Sequence, residues 1–352
     1  MTDQDNTTRL REQVLDAHGS GTALAIRGGG TKAFYGRAVS CEPLDTAGHA
    51  GILSYEPTEL VITARGGTPL AEVEQALAEQ GQMLPFEPPR FAAGGTLGGA
   101  LASGLAGPRR PWGGAPRDLL LGVKLLDGRG RVLEFGGQVM KNVAGYDLSR
   151  LMAGAMGTLG VLLEVSVKVL PRPAREISLV RAMEPGPAAE LMQQLQGRPI
   201  PLTGAAYHDG ELHLRVTGSA ELTDDIAREL QAKSREQDDF WERLRDFRLD
   251  FFAGDAPLWR LSLAPAAETE LDAQCLIDWG GAQRWLRGEQ QAEAMRELAR
   301  RHGGHAILFR GGDRQGNLFQ PLDPVQERLH RSLKAVFDPK GILNPGRLYP
   351  GW

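Results

Sequence analysis

The stretch ALAIRGGGTKAFYG, residues 23–36, places three glycines directly after a short apolar run. Ala23 to Arg27 reads as a strand, and Gly28-Gly29-Gly30-Thr31-Lys32 as a tight turn carrying a hydroxyl and a cation. Such a turn exposes backbone N–H groups, and anions bind there. Three ligand readings compete with a bare glycine hairpin: a Rossmann dinucleotide loop, a nucleotide P-loop, and the diphosphate loop of another fold. Gly28, Gly30 and Ala33 satisfy a minimal G-x-G-x-x-A, but that motif needs a helix opening at its third position. AFYGRAVSCEP follows instead, with Gly36 and Pro43 breaking any helical period, so the Rossmann reading fails. A P-loop needs Gly-Lys-Ser/Thr, and Gly30-Thr31-Lys32 sets the lysine one place late.

Repetition then separates the remaining readings. A second glycine turn, AAGGTLGGALASG (92–104), and a third, GAMGTLGV (154–161), lie in the same half of the chain. Each sets a threonine beside a glycine, which offers hydroxyl and N–H donors with little bulk. One such turn is punctuation; three suggest a ligand lying along several loops. A long anionic cofactor such as FAD has that shape. Charge-assisted hydrogen bonds of about 1.5–3 kcal/mol each, with ring burial, outweigh the cost of association without a covalent tether.

The rest of the chain frames this half. Its 352 residues suffice for two domains. A formal net charge of -4, with both signs interspersed, gives no nucleic-acid signature. Cys41 and Cys275 form no CxxC pair, which excludes a cluster or zinc site built on paired cysteines and fits a reducing compartment. The N-terminus lacks a basic-then-apolar leader, and LMAGAMGTLGVLL (151–163) is too short to span a bilayer. A cytoplasmic protein is expected, with any attachment to the inner membrane peripheral and through partner subunits.

A first helix is predicted over 10–18, a strand and turn over 58–67, and a helix over 68–81. In that helix Thr68 suits the N-cap, Pro69 the first helical position, and Leu70, Val73 and Leu77 share a face, with Gly81 ending it. Residues 119–135 read as two strands joined at Asp127-Gly128, and 147–160 as a helix capped by Asp147 opening into the third turn. Residues 161–173 read as a strand closed by two prolines, which mark a domain boundary. Beyond it, the strand-like pieces ISLVRA, GELHLRVTG, PLWRLSLA, AQCLIDWG and HAILFRGG alternate with helical ones near 187–196, 219–235 and 289–302. An antiparallel α+β layer follows from that pattern. A last helix, 323–336, leads into FDPKGILNPGRLYPGW.

RGGGTK, GGTLGGALASG and YDLSRLMAGAMGTLGV together resemble, in order and spacing, the FAD-binding domain of the vanillyl-alcohol oxidase (PCMH-type) flavoproteins. The tail FDPKGILNPGRL resembles the glycolate oxidase and D-lactate dehydrogenase branch, and the short length its FAD-binding E-type subunits. The resemblance covers 20–172 and 323–348. It implies an α+β fold: a PCMH-type FAD-binding domain of two α/β subdomains (1–172), an antiparallel α+β cap domain (173–322), and a C-terminal helix and tail returning to the flavin (323–352). By the same resemblance, Arg27, Gly28, Gly29, Gly30, Thr31 and Lys32 hold the pyrophosphate. Gly94, Gly95, Thr96, Gly98, Gly99 and Ser103 line the ribityl and flavin side. Gly157, Thr158, Leu159, Gly160 and Val161 contact the nucleotide end, and Asn344 sits near the flavin ring.

Two departures bear on function. Covalently flavinylated relatives place a histidine in the first glycine loop; Lys32 stands there here, so dissociable, non-covalent FAD is expected. Catalytic relatives carry a histidine–aspartate–glycine–asparagine–histidine segment that binds metal and substrate. LFRGGDRQGNLFQPL (308–322) keeps Gly316-Asn317-Leu318 but has Phe319 in place of the closing histidine. His302 and His305 alone make a poor metal site, so no metal is expected. Oxidising a 2-hydroxy acid needs a cation for the carboxylate and a base for the hydroxyl proton. Arg260, Arg310 and Arg314 are available as the cation; no base is identifiable. The resemblance therefore implies an FAD-binding subunit of a complex oxidising glycolate, with a larger homologous FAD subunit and an iron–sulfur subunit. The alternative is a self-sufficient FAD-dependent 2-hydroxyacid dehydrogenase.

Overall fold

The computed structural model describes residues 3–137, 147–236, 238–267 and 275–352. Tyr146, which opens the third motif, and Ala273 and Gln274, which open one strand-like piece, lie outside them. The chain forms two compact units: Met1–Leu105, Ala115–Pro171 and Arg314–Trp352 make the first, Ala106–Gly114 and Arg172–Asp313 the second. The C-terminal segment thus belongs with the first unit, and the short excursion Ala106–Gly114 leaves that unit for the second.

The first unit is built on a five-stranded antiparallel sheet, in the order Ile52–Glu56, Val61–Arg65, Val161–Lys168, Leu120–Leu126, Val132–Gly136. Every residue of Val61–Arg65 is buried, which gives its unbroken run VITAR a physical reason. Separately, Leu24–Arg27 pairs in parallel with Glu42–Asp45, and a parallel bridge joins Leu24 to Leu343 of the tail. Glu42–Asp45 and Ile52–Glu56 escape sequence reading because both are mostly solvent-facing and the first contains Pro43. Helix Thr7–Ser20 buries Leu10, Val14 and Ala17 and ends on Gly21 at φ 79°. These side chains share a core with Leu24, Leu44, Leu126, Ile342 and Leu343. Each fully buried leucine there contributes about 1.5–3 kcal/mol.

Local chemistry departs from the sequence expectation at four points. Helix Leu70–Glu79 buries the predicted face, Leu70, Val73 and Leu77, but Pro69 takes the cap position. The Thr68 hydroxyl instead donates to Arg65 O at 2.7 Å and accepts from Gly51 N at 3.0 Å, so it ties the turn to a neighbouring strand. The hairpin after Leu126 is a longer loop than Asp127-Gly128: Asp127 Oδ1 accepts from Arg129 N and Arg131 N, both at 2.9 Å, and Gly130 takes φ 73°. Asp147 caps nothing; it accepts from the Ser149 hydroxyl at 2.8 Å and pairs with Arg150 beside a four-residue helix, Ser149–Met152. The second glycine stretch is a turn only as far as Gly95. There Thr96 caps helix Leu97–Ser103, its hydroxyl accepting from Gly99 N at 3.1 Å.

The second unit holds an eight-stranded antiparallel sheet, ordered Lys233–Arg235, Glu176–Ala182, Glu211–Thr217, Leu202–His208, Leu276–Asp278, Gln283–Arg287, Leu258–Ser262, His305–Arg310. Helices Pro185–Gln196, Ala220–Glu229 and Ala292–Arg301 accompany it. Leu202–His208, Gln283–Arg287 and helix Phe240–Arg245 are further elements that the sequence reading left out. Met192, Leu195, Tyr207, Leu214 and Val216 centre one core of this unit.

The C-terminal helix, Pro324–Phe337, opens on a capping box: Asp323 accepts from Val325 N and Gln326 N at 2.8 and 2.9 Å. Its last turn fixes the tail. Buried Lys334 donates to Asp338 Oδ2 at 2.6 Å, Thr158 O at 2.7 Å and Leu343 O at 2.8 Å. Asp338, 1% exposed, also accepts from Ile342 N and Leu343 N at 3.1 and 2.7 Å. Burial holds the Lys334 ammonium below its ordinary value against the opposing pull of Asp338. Removing one partner of such a pair leaves an uncompensated buried charge. Asp338→Ala is expected to cost about 3–5 kcal/mol, read as a lower urea midpoint at unchanged slope. A midpoint equal to wild type would show that the pair is not what holds the tail.

Candidate cofactor site

The first glycine turn follows strand Leu24–Arg27 and lines a cavity of about 480 Å³, a size usual for cofactor sites. Among the described residues, no protein acceptor takes the backbone N–H of Gly28, Gly29, Gly30, Thr31 or Lys32. Five successive N–H groups left without a protein acceptor along a cavity wall are the arrangement that nests an anion.

Glycine is required at two positions of this turn for different reasons. Gly30 takes φ 69°, with open space where a Cβ would stand. At Gly29 a Cβ would lie 1.5 Å from Gly94 O, so the first and second turns touch backbone to backbone. The third turn meets the tail instead: a Cβ on Gly157 would stand 2.7 Å from Asn344 Nδ2.

These contacts sort the candidate residues. Arg27, Gly28, Gly29, Gly30, Thr31, Lys32, Thr96, Gly98, Gly99, Ser103, Gly157, Gly160, Val161 and Asn344 all line the cavity. Gly94, Gly95, Thr158 and Leu159 do not. Gly94 and Gly95 sit behind Gly29, and the Thr158 hydroxyl donates to Ala155 O at 2.7 Å within its own turn. In the second turn two of the cavity-lining N–H groups are already used, Gly98 N by Gly66 O at 2.8 Å and Gly99 N by Thr96, whereas all five N–H groups of the first turn lack a protein acceptor among the described residues. Asn344 is spent on backbone: its Oδ1 accepts from Ile26 N at 2.8 Å and its Nδ2 donates to Met156 O at 2.6 Å. Its work is to hold the first strand, the third turn and the tail in one register.

Three cations line the cavity, Arg27, Lys32 and Arg347, and among the described residues no carboxylate does. Lys32 is half-buried with its ammonium 5.8 Å from the Phe91 ring centre, and burial pushes it down to about 8. Arg347 donates to Arg37 O at 2.8 Å, Ala33 O at 3.0 Å and Lys32 O at 3.2 Å. Burial first, then the charges of Arg314 and Arg27, push Arg347 down to about 10. Three cations on a cavity wall that no carboxylate lines suit a bound polyanion.

Arg347 and Gly66 are absent from the sequence expectation. Arg347 follows Asn344-Pro345-Gly346 directly, and Gly66-Gly67-Thr68 repeats the Gly-Gly-Thr of residues 29–31 and 94–96. Arg314 also belongs to this unit, donating to Phe34 O and Gly36 O at 2.8 and 2.9 Å. Arg260 and Arg310 belong to the second unit, where Arg260 stands over Phe309 and Arg310 donates to Phe252 O. Phe319 packs against Tyr35 and Tyr349, ring centres 5.8 and 6.0 Å apart. Among the described residues no three His, Cys, Asp or Glu side chains gather as a metal site would require.

The nest, its cations and the sheet behind them define a FAD-binding flavoprotein. The FAD binding domain family matches residues 5–136, and the family of FAD linked oxidases, C-terminal domain, matches residues 271–348. Glycolate oxidase subunit GlcE of Escherichia coli (strain K12) is 47% identical over 346 residues, 98% of each chain. A D-lactate dehydrogenase of Archaeoglobus fulgidus is 27% identical over 92% of this chain and 85% of its own. Glycolate oxidase subunit GlcD of Bacillus subtilis is 32% identical over 38% of this chain and 28% of its own. Among solved structures, p-cresol methylhydroxylase with substrate bound shares the fold at a TM-score of 0.71 and 14% identity, over 97% of this chain and 87% of that one. Alkyldihydroxyacetonephosphate synthase does so at 0.68 and 17%, over 97% and 76%. The chain belongs to the vanillyl-alcohol oxidase (PCMH-type) family of FAD-dependent oxidoreductases, on the branch of the glycolate oxidase subunits.

Two measurements check the nest. Gly29→Ala pushes the first two turns apart, whereas Gly30→Ala adds only backbone strain. Purified Gly29→Ala is expected to retain at least about tenfold less flavin per chain than Gly30→Ala; the reverse order would dismiss the backbone contact. Lys32 supplies a pH signature. Free, it titrates near 8; a bound diphosphate favours its charged form and raises that value, so binding takes up a proton above pH 8. Flavin affinity is expected to hold from pH 6 to 8 and fall towards pH 9, by fluorescence titration, with the fall absent in Lys32→Met. In the flavin-free chain the sign is opposite. The unfolded lysine binds more protons between about 8 and 10.4, so stability rises with pH there.

Proposed function

We propose that this chain is the smaller FAD-binding subunit of a complex that oxidises glycolate, a small 2-hydroxy acid, to glyoxylate. A larger homologous FAD subunit and an iron–sulfur subunit are its partners, and the iron–sulfur subunit receives the electrons. The observation carrying this reading is the 47% identity to glycolate oxidase subunit GlcE over 98% of both chains. FAD, when bound to this chain, supplies a carrier for the electrons taken from the acid. The nest from Gly28 to Lys32 holds the diphosphate through backbone N–H groups, and Lys32 and Arg347 neutralise it. The small residues Gly98, Gly99 and Gly160 leave width for the flat rings. Lys32 stands in the first glycine loop, where covalently flavinylated relatives place a histidine, which supports dissociable FAD.

The position where catalytic relatives place a closing histidine is filled by Phe319 between two tyrosines, which offers neither a base nor a ligand. That supports chemistry on the larger subunit, with this chain carrying a flavin and assembling the complex. The second unit serves as a cap-like domain. Among the described residues no helix is long and apolar enough to cross a membrane. The complex is assigned to the cytoplasm, with any membrane attachment peripheral.

The visible spectrum under argon tests this. The chain expressed alone is expected to show flavin bands that persist with glycolate and bleach once the larger subunit is present. Bleaching in the chain alone would establish a self-sufficient dehydrogenase. A colourless chain, alone and with its partners, would remove FAD from the reading.

A further inference from the structure

Two guanidinium groups take six successive carbonyls, those of Lys32 to Arg37. Arg347 donates to Lys32 O, Ala33 O, Tyr35 O and Arg37 O. Arg314 fills the gaps, donating from Nη2 to Phe34 O at 2.8 Å and Gly36 O at 2.9 Å. The N–H groups of residues 28–32 have no protein acceptor among the described residues, so the nest passes directly into a stretch whose carbonyls are tied to arginines. The lacing also runs the other way. Half-buried Arg37 donates from Nε to Gly316 O at 3.0 Å, from Nη1 to Gly346 O at 2.9 Å, and from Nη2 to Gln315 O. On the backbone, Arg37 N donates to Arg347 O at 2.9 Å and Ala38 N to Arg314 O at 3.3 Å. All of these residues belong to the first unit.

Residues 33–39 form neither helix nor strand. Two bonds join them to the turn they follow, Ala33 N to Gly30 O and Tyr35 N to Lys32 O. The arginine bonds tie them instead to residues 314–316 and 346–347, near the end of the chain. Four residues of this stretch, Ala33, Tyr35, Ala38 and Val39, line the cofactor cavity. Tyr35 is backed by Phe319, edge to face with ring centres 5.8 Å apart. Arg314 and Arg37 do not line the cavity, so whatever they do for a ligand they do through this stretch. An irregular loop that is ordered before its ligand arrives removes the entropy loss from the binding step.

We propose that Arg314 and Arg37 are positioning residues of the cofactor site, holding the wall of residues 33–39 in place for a ring of bound FAD while the nest takes the diphosphate. The inference rests on the FAD reading above and adds a division of labour within the site. Chemistry selects the ring for this wall. Apart from the Tyr35 hydroxyl, its four side chains offer hydrocarbon and an aromatic face, which favour a flat ring and give a phosphate nothing. Geometry, rather than charge, is what these two arginines bring. Arg347 and Lys32 already put positive charge on the cavity wall. Arg37 spans three carbonyls from three nitrogens, which a planar fork does and an ammonium on a flexible stem does not. Arg314 thus serves the cofactor loop rather than a substrate carboxylate.

Titration of the flavin-free full chain tests this, with FAD followed by fluorescence and inorganic pyrophosphate by calorimetry. Wild type is compared with the double variant Arg37→Lys with Arg314→Lys, which keeps the net charge and loses both forks. The double variant is expected to bind FAD about tenfold more weakly and pyrophosphate within about twofold of wild type. Gly29→Ala, which disturbs the nest itself, is expected to weaken both ligands. If the double variant does not fold, Arg37→Lys alone is expected to weaken FAD about threefold and leave pyrophosphate unchanged. FAD affinity equal to wild type in the lysine variants would overturn the proposal and leave the FAD reading standing. Equal weakening of both ligands, with a lower thermal midpoint of the flavin-free chain, would make the arginines general supports of the fold and overturn it too. A wild-type chain that binds FAD but not pyrophosphate would overturn the division of labour. A wild-type chain that does not bind FAD would refute the FAD reading itself.

Discussion

The backbone of Gly29 lies against the backbone of Gly94, closely enough that a single methyl would collide with the carbonyl oxygen. That approach sets the distance between the strand-borne first turn and the helix-borne second one. Residues 28–32 line the cavity beside it, and Thr96 caps its own short helix. Several glycines of this site thus act as a packing device. Conformational freedom matters at Gly30, contact matters at Gly29 and Gly98, and both matter at Gly157, which takes φ 73° and meets Asn344 where a side chain would stand.

The tail closes the arrangement from the far end of the chain. Lys334 and Asp338 neutralise one another in a buried setting and between them bind the third turn and residues 342–343. Asn344 then reaches both Ile26 and Met156, and Arg347 clamps the carbonyls behind Lys32. An arginine whose donors are taken up by carbonyls keeps its positive charge uncompensated. This is how the fold delivers cations to the cavity without carboxylates beside them, and why anion binding and tail docking are aspects of one structure.

Much of this was legible in the residues themselves. The three glycine turns, the failure of the Rossmann and P-loop readings, and the apolar faces of the helices follow from spacing, because turn chemistry and periodicity are local properties. The strands Glu42–Asp45 and Ile52–Glu56 were not legible, since their exposed residues carry no alternation and their pairing partners supply the order. Thr68 and Asp147 read as caps because their types and positions suit capping, yet Thr68 was claimed by Gly51 and Asp147 by Ser149 and Arg150. A cap residue competes among all nearby donors, and sequence shows only those on its own helix.

Sequence alone determined which residue types could meet an anion and in which half of the chain they lie, because glycine, threonine and lysine carry that chemistry wherever they are placed. It also determined the family, through motifs whose order and spacing are visible without coordinates. Only the tertiary structure decided which N–H groups are left without a protein acceptor at the cavity wall and which are taken up by neighbouring carbonyls. Whether a donor is free depends on acceptors that arrive from elsewhere: Gly66 meets Gly98, and among the described residues no acceptor meets the N–H groups of residues 28–32. The tertiary structure likewise decided that Arg347, more than three hundred residues downstream, shares the site. Long-range register, carried by the bridge from Leu24 to Leu343, has no trace in either segment read by itself.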